Sequence, residues 1–227
     1  VVNAMFELIF GKSPYKSPTE MGVNMAGNCI IDDEACREAS KQEIIRRYYK
    51  CLCEKRRNGT TKDDICKLEL LMKQAEITVE DRKITIVALE REKNENGNPA
   101  MAIELRDGTI VSGGTSELLG AASSALINAL KVLAGIDKEV KLIDPKAIDP
   151  IQDLKINYLG SKNPRLHTDE VLTALSATAA NNEIAMKAMK KLPLLKGCDA
   201  HSTVLLSSVD EQIFKKLGIQ LTCEPKY

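Results

Sequence analysis

Apolar positions along the chain fall into two periodicities. The chain opens with VVNAMFELIF, apolar at helical spacing and closed by Gly11, and reads as the tail of a helix whose start lies outside it. KSPYKSPTEMGVNMAGN (12–28), rich in proline, glycine and short polar residues, reads as a loop. Asp32 and Asp33 then open DDEACREASKQEIIRRYYKCLCEKRRNG, with Ile44, Ile45, Tyr48, Tyr49 and Leu52 as its apolar stripe and Lys55, Arg56 and Arg57 before Gly59. Acidic start and basic end both suit the helix dipole. A second helix from Thr61 buries Ile65, Leu68, Leu71, Met72 and Ala75, so residues 32–77 form a helical hairpin.

Beyond Thr78 the pattern changes. Residues 79–94 combine helical spacing at Ile84, Val87, Ala88 and Arg91 with a β-branched run, and helix is the favoured reading. AMAIELR-DG-TIVSG is a β-hairpin turning at Asp107-Gly108. SELLGAASSALINALKVLAG is a long helix, apolar on nearly every face, whose small residues at 120–124 permit close approach to a sheet. EVKLID, STVLLS and IQLTCEP read as strands. Helices are expected at 145–157, 168–180 and 182–192, and at DEQIFKKLG behind a Ser208/Glu211 capping box. Single helices between strands imply parallel crossovers, and the hairpin adds antiparallel pairing. The expected fold class is α+β or α/β: a helical subdomain at 1–77, then a three-layer α/β/α domain with a mixed sheet at 78–227, carrying a helical insert at about 145–192.

Composition narrows the function classes. The 227 residues carry 32 basic and 32 acidic side chains, 4% aromatics and no tryptophan. Zero net charge and few stacking rings count against a general grip on nucleic acid or an anionic membrane. No apolar run reaches bilayer length, and the N-terminus has neither the basic region nor the cleavage site of a signal peptide. Seven cysteines, odd in number and scattered among charged helical residues, suit a reducing cytoplasm.

Chemistry-bearing motifs are sparse. The chain has two histidines, and PLLKGCDAHST (193–203) places Cys198 three residues before His201 in what reads as a loop. Two ligands are half a zinc site at best, and neither HExxH nor paired CxxC is present, so no metal is assigned. As a thiol–imidazole pair the spacing permits contact. A packed thiol and a turn-stabilising imidazole is the favoured reading. Neither a GxxxxGK[ST] nor a GxGxxG stretch occurs, so no cofactor is assigned. SGGTSE (112–117) runs from a strand to a helix start, where free N–H groups favour an anion, and the compatible, favoured reading is capping alone by Thr115 or Ser116 with Glu117 in the first turn. Four loops therefore carry the candidate ligand contacts: Lys16 and Asn24 in 13–24; Thr115, Ser116 and Glu117 in 113–117; Lys162, Asn163 and His167 in 160–167; Lys196, Cys198, His201 and Ser202 in 196–203. No catalytic residue is assigned.

YKSPTEMGVN (15–24), IIDDEACREASKQEIIRRYYK (30–50), LRDGTIVSGGTSELLGA (105–121), LGSKNPRL (159–166), PLLKGCDAHST and DEQIFKKLGIQLTCEP (210–225) together resemble a bacterial family catalogued as a domain of unknown function. Some of its members are labelled ATP-dependent zinc proteases. The resemblance runs from about Ser13 to Pro225 and is to the C-terminal half of family chains. It implies a partner, the protein's own missing N-terminal half, where the family's phosphate-loop-like stretch lies. This chain also looks shorter than family members around residues 88–98. A weaker resemblance, in element order alone, is to cytidine-deaminase-like domains. Thr115-Ser116-Glu117 stands near their ribose-binding Asn-x-Glu, and the zinc-motif positions hold Ala, Ser, Leu and Asn. The function expected is unknown in detail: a non-catalytic module for packing, homo-oligomerisation or binding a small polar or phosphorylated ligand. The alternative is part of a nucleotide-dependent hydrolase site completed by the absent half.

Overall fold

Asp32 caps the first long helix by accepting from the backbone N–H of Ala35 at 2.9 Å, and Gly59, at φ 72°, closes it in the left-handed region that glycine enters without steric cost. The computed structural model describes residues 2–11, 32–59 and 62–227. Its helices are α1 (Val2–Phe10), α2 (Asp33–Asn58), α3 (Lys62–Gln74), α4 (Lys83–Asn94), α5 (Ala121–Ala134), α6 (Pro145–Asp153), α7 (Thr168–Ala179), α8 (Glu183–Met189) and α9 (Ser208–Lys216). Its strands are β1 (Ala100–Glu104), β2 (Ile110–Gly114), β3 (Asp199–Ser202) and β4 (Gln220–Cys223). The favoured helix at 79–94 is present as a short 3-10 turn, Val79–Asp81, followed by α4.

The four strands form one mixed sheet in the order β2-β1-β3-β4. β1 pairs antiparallel with β2 and β3, and β3 pairs parallel with β4 through the α9 crossover. Alternation along β1 divides its neighbours. Met101 and Ile103 join the main core with α5, α7 and α8, whereas Ala102 packs with Ile84 and Ala88 of α4 on the opposite face. The hairpin of α2 and α3 has a separate small core of Ile44, Ile45, Tyr49, Met72 and Ile77.

Four expectations are corrected. The cap of α9 is Ser207, whose Oγ accepts from the Asp210 N–H, and not Ser208. EVKLID forms no strand; Leu142 and Ile143 are buried in the main core, and the run pairs with none of the four strands. STVLLS is not the strand either: β3 lies earlier, at DAHS, because pairing on both sides overrides the poor β propensity of Asp199 and His201. The long helix starts at Ala121 with Gly120 as its N-cap, five residues later than expected. The Oγ of Ser116 accepts from the N–H of Leu119 at 3.0 Å, closing a turn, and Leu119 bridges Leu166, so this segment is held as loop. The close approach of α5 to the sheet is real. A Cβ on Gly113 would lie 2.2 Å from the backbone nitrogen of Ala125.

Candidate functional site

The hairpin and the sheet meet at Arg82, which is 2% exposed. Its Nη1 donates to Asp199 Oδ1 at 2.7 Å and to Gln42 Oε1 at 3.3 Å, Nε to Thr222 Oγ1 at 3.1 Å, and Nη2 to the carbonyls of Ala200 and Gln220. Arg46 of α2 reaches the same Asp199 oxygen at 3.4 Å. Burial pushes the Arg82 pKa down and Asp199 opposes it, as expected for a buried guanidinium held charged by its partner.

His201 is fully buried on the same face. Its Nδ1 lies 2.9 Å from Thr222 Oγ1, its Nε2 lies 3.3 Å from Glu224 Oε1 in a geometry short of a good hydrogen bond, and the Tyr49 ring meets it edge-on at 5.0 Å. The Tyr49 hydroxyl donates to Glu224 Oε1 at 3.0 Å. Burial works to raise the Glu224 pKa, and the contacts with His201 and Tyr49 outweigh it, so the carboxylate stays ionised. An ionised acceptor beside Nε2 favours the proton there, and Nδ1 then competes with the Ala200 carbonyl, 3.1 Å from Thr222 Oγ1, for the single hydroxyl proton of Thr222. Burial holds the His201 pKa low, with Glu224 opposing, so the ring is neutral near pH 7.

Beside this network opens a cleft of 830 Å³, lined from both sides of the seam. Glu38, Glu80, Asp81, Glu104, Asp107 and Asp199 line it, against Lys83 and Arg106. Glu104 and Asp199 stand directly opposite in the β1–β3 ladder, so two carboxylates share one face. Like charges so placed cost stability. Arg82 and Arg46 neutralise Asp199. Glu104 has its pKa raised by burial first and by Asp199 second.

The residues singled out from the sequence do not gather here. Cys198 and His201 face opposite sides of the sheet: Cys198 packs in the main core, its pKa pushed up by burial, and His201 points to the hairpin. A strand has period two, so a separation of three places them apart, and the two can neither share an ion nor act as a pair. Loops 113–117 and 160–167 do meet, through Arg165 Nε donating to the Ser116 carbonyl at 2.8 Å. In them Thr115 Oγ1 donates to the Pro99 carbonyl, Asn163 Oδ1 accepts from the Arg165 N–H, and Glu117 and Lys162 are exposed. Thr115 and Ser116 therefore do not cap α5. His167 caps α7, with Nδ1 3.0 Å from Asp210 Oδ2, and Asp210 raises its pKa. Ser202 Oγ closes a turn onto the Val204 carbonyl, and Lys196 is exposed, packed beside Gly218. Lys16 and Asn24 lie outside the described residues. Sequence reading missed Arg82, Asp199, Glu104, Tyr49 and Glu224. No local signal marked them: Asp199 fell in a segment read as a loop, and Glu224 follows the polar alternate of its strand, Gln220 and Thr222.

The N-terminal domain of the family described as "Domain of unknown function DUF1846" matches residues 1–76, and its C-terminal domain matches residues 80–227. The chain is 53% identical over all 227 residues to a UPF0371 protein of Corynebacterium glutamicum, covering 46% of that protein. It is 52% identical over all 227 residues to UPF0371 protein stu1377 of Streptococcus thermophilus, again covering 46% of it. The chain thus spans about half the length of the curated relatives it matches. The expected partner, a missing N-terminal half, is overturned. Both the N-terminal and the C-terminal family domains have their matches within these residues, and the relatives align along the whole of them.

Proposed function

The chain belongs to the DUF1846 family, and on that premise we propose that it is a non-catalytic binding module whose cleft between helical hairpin and sheet takes a small, polar, multiply cationic ligand. What carries this reading is the cross-strand pair Glu104 and Asp199, set face to face in a cleft with six carboxylates and two cationic side chains. Asp199 is already paired with Arg82 and Arg46, so the charge left for a ligand to match is that of Glu104, its pKa raised by burial, and the other four carboxylates of the lining. The acidic lining disfavours a phosphorylated ligand. No residue is assigned a catalytic role.

The division at 77/78 is part of the same proposal, supported by the separate core of the hairpin, with the helical subdomain supplying one wall of the cleft and 145–192 an insert on the far side of the sheet. The strand order β2-β1-β3-β4 with β1 antiparallel to its neighbours supports a cytidine-deaminase-like topology, as shape alone. Among the described residues no helix is long and apolar enough to cross a membrane. The free thiols support a cytoplasmic location.

The test is titration with spermidine at low salt, read by calorimetry, for wild type and Glu104→Gln. Saturable, salt-sensitive binding that weakens about tenfold or more in the variant supports the reading. Absence of binding to folded wild type, or equal binding by both, rejects it.

A further inference from the structure

A second pocket, of 450 Å³, opens between α2 and α4, and Glu80 alone is common to its lining and that of the acidic cleft. Its volume is within the roughly 300–1,000 Å³ usual for small-molecule sites. Tyr48, Leu52, Ile86, Leu89 and Pro225 supply apolar wall. Glu224 lies in the lining with Oε1 engaged by Tyr49 and beside His201 Nε2, while Oε2 has no hydrogen bond among the described residues. Thr85 is 2% exposed, lines the same pocket, and its Oγ1 makes no well-formed hydrogen bond among the described residues, although the Tyr49 hydroxyl lies beside it. A buried hydroxyl left unpaired costs on the order of 1–3 kcal/mol, so its place in a pocket wall asks for a ligand atom.

We propose that this pocket binds a small molecule carrying a primary ammonium on an apolar body, with Glu224 Oε2 and Thr85 Oγ1 accepting from the ammonium and the walls of α2 and α4 enclosing the body. A carboxylate fixed by two neighbours is preorganised, so it loses little entropy on taking a cation. An ammonium offers three donors, enough to serve both oxygens and leave one for solvent. At the rim Glu80 and Glu90 outnumber Lys93, which favours a cation over an anion. The ligand differs from that of the cleft in having one charge and an apolar body.

The probe is phenethylamine, with phenethyl alcohol and hydrocinnamate as neutral and anionic analogues of the same body, titrated calorimetrically and by ligand-observed NMR. Wild type is expected to bind the amine, the alcohol about tenfold or more weaker, and hydrocinnamate undetectably. Glu224→Gln should weaken the amine about tenfold or more and Thr85→Val a few-fold, with far-UV circular dichroism unchanged. Leu89→Trp, which fills the pocket from α4 without touching the polar floor, should block the amine, and it decides the matter if Glu224→Gln does not fold. Saturation of Leu89→Trp with wild-type affinity, equal binding of amine and alcohol, or no binding of the amine to wild type at ~10 mM would overturn the proposal.

Discussion

Replacing Asp210 by Asn tests whether His167 belongs to a ligand site or to a structural cap. Asp210 Oδ1 accepts from the Thr168 N–H at 2.9 Å and from its hydroxyl at 2.8 Å, and Oδ2 accepts from Ser207 at 2.8 Å and faces His167 Nδ1 at 3.0 Å. One carboxylate therefore ties the first turn of α7 to the first turn of α9. Burial works to raise its pKa, and these bonds outweigh it, holding the carboxyl at about 2 against an ordinary 3.8. At about 1.4 kcal/mol per unit, that depression is equivalent to about 2 kcal/mol of stability at pH 7. The folded-state pKa is lowered, so the contribution is complete above the unfolded value, falls to about half near pH 3, and is lost as pH drops through about 2. Asp210→Asn keeps the shape and the Oδ1 bonds and removes the charge. It should cost about 2 kcal/mol in urea unfolding at pH 7 and about 1 kcal/mol at pH 3. The His167 ring, titrated by NMR, should move down towards 6.5 in the variant, because Asp210 is what raises it. A loss below about 0.5 kcal/mol, or an equal loss at both pH values, refutes the cap and returns His167 to the ligand candidates.

Other expectations are as direct. Gly113→Ala places a methyl 2.2–2.7 Å from backbone atoms of Ser124 and Ala125, which cannot rotate away; chemical denaturation should show a loss of about 2–3 kcal/mol or more, and a neutral result would mean α5 sits further from β2. Arg82→Met removes the charge facing Asp199 and should cost about 3–5 kcal/mol, with Asp199→Asn in the same chain recovering part of it; no recovery would contradict the pairing. The two histidines should titrate on opposite sides of 6.5 by NMR. His167 lies above, so its stabilisation is present below 6.5 and lost as pH rises through the raised value. His201 lies below, so its stabilisation is present above 6.5 and lost as pH falls through the lowered one; co-titration would refute both environments. Burial raises the thiols of Cys53 to about 11 and Cys223 to about 12, so alkylation at pH 7 should spare them and take exposed Cys66 first; rapid labelling of Cys223 would show that α2 does not cover β4.

The helical hairpin, the β-hairpin at Asp107-Gly108 and the helices at 145–153, 168–179 and 183–189 were legible because each rests on local signals: caps, turn residues and an apolar period. The small residues around Ala121–Ala125 announced a close approach, and Gly113 is where it happens. β3 was misplaced for the opposite reason. DAHS is a poor strand by propensity and becomes one because β1 and β4 flank it. That shift of a few residues turned Cys198 and His201 from loop neighbours into groups on opposite faces.

Periodicity, caps and turn chemistry act over a few residues, so the amino-acid order alone was enough to establish which segments are helical and where the hairpins turn. Which side chains share a space is a long-range matter. Arg82 meets Asp199 across 117 positions and Tyr49 meets Glu224 across 175, and no short-range pattern records either pairing. Only the packing of the hairpin against the sheet brought those charges into one low-dielectric seam, and burial there is what makes an ordinary glutamate or histidine a candidate for binding.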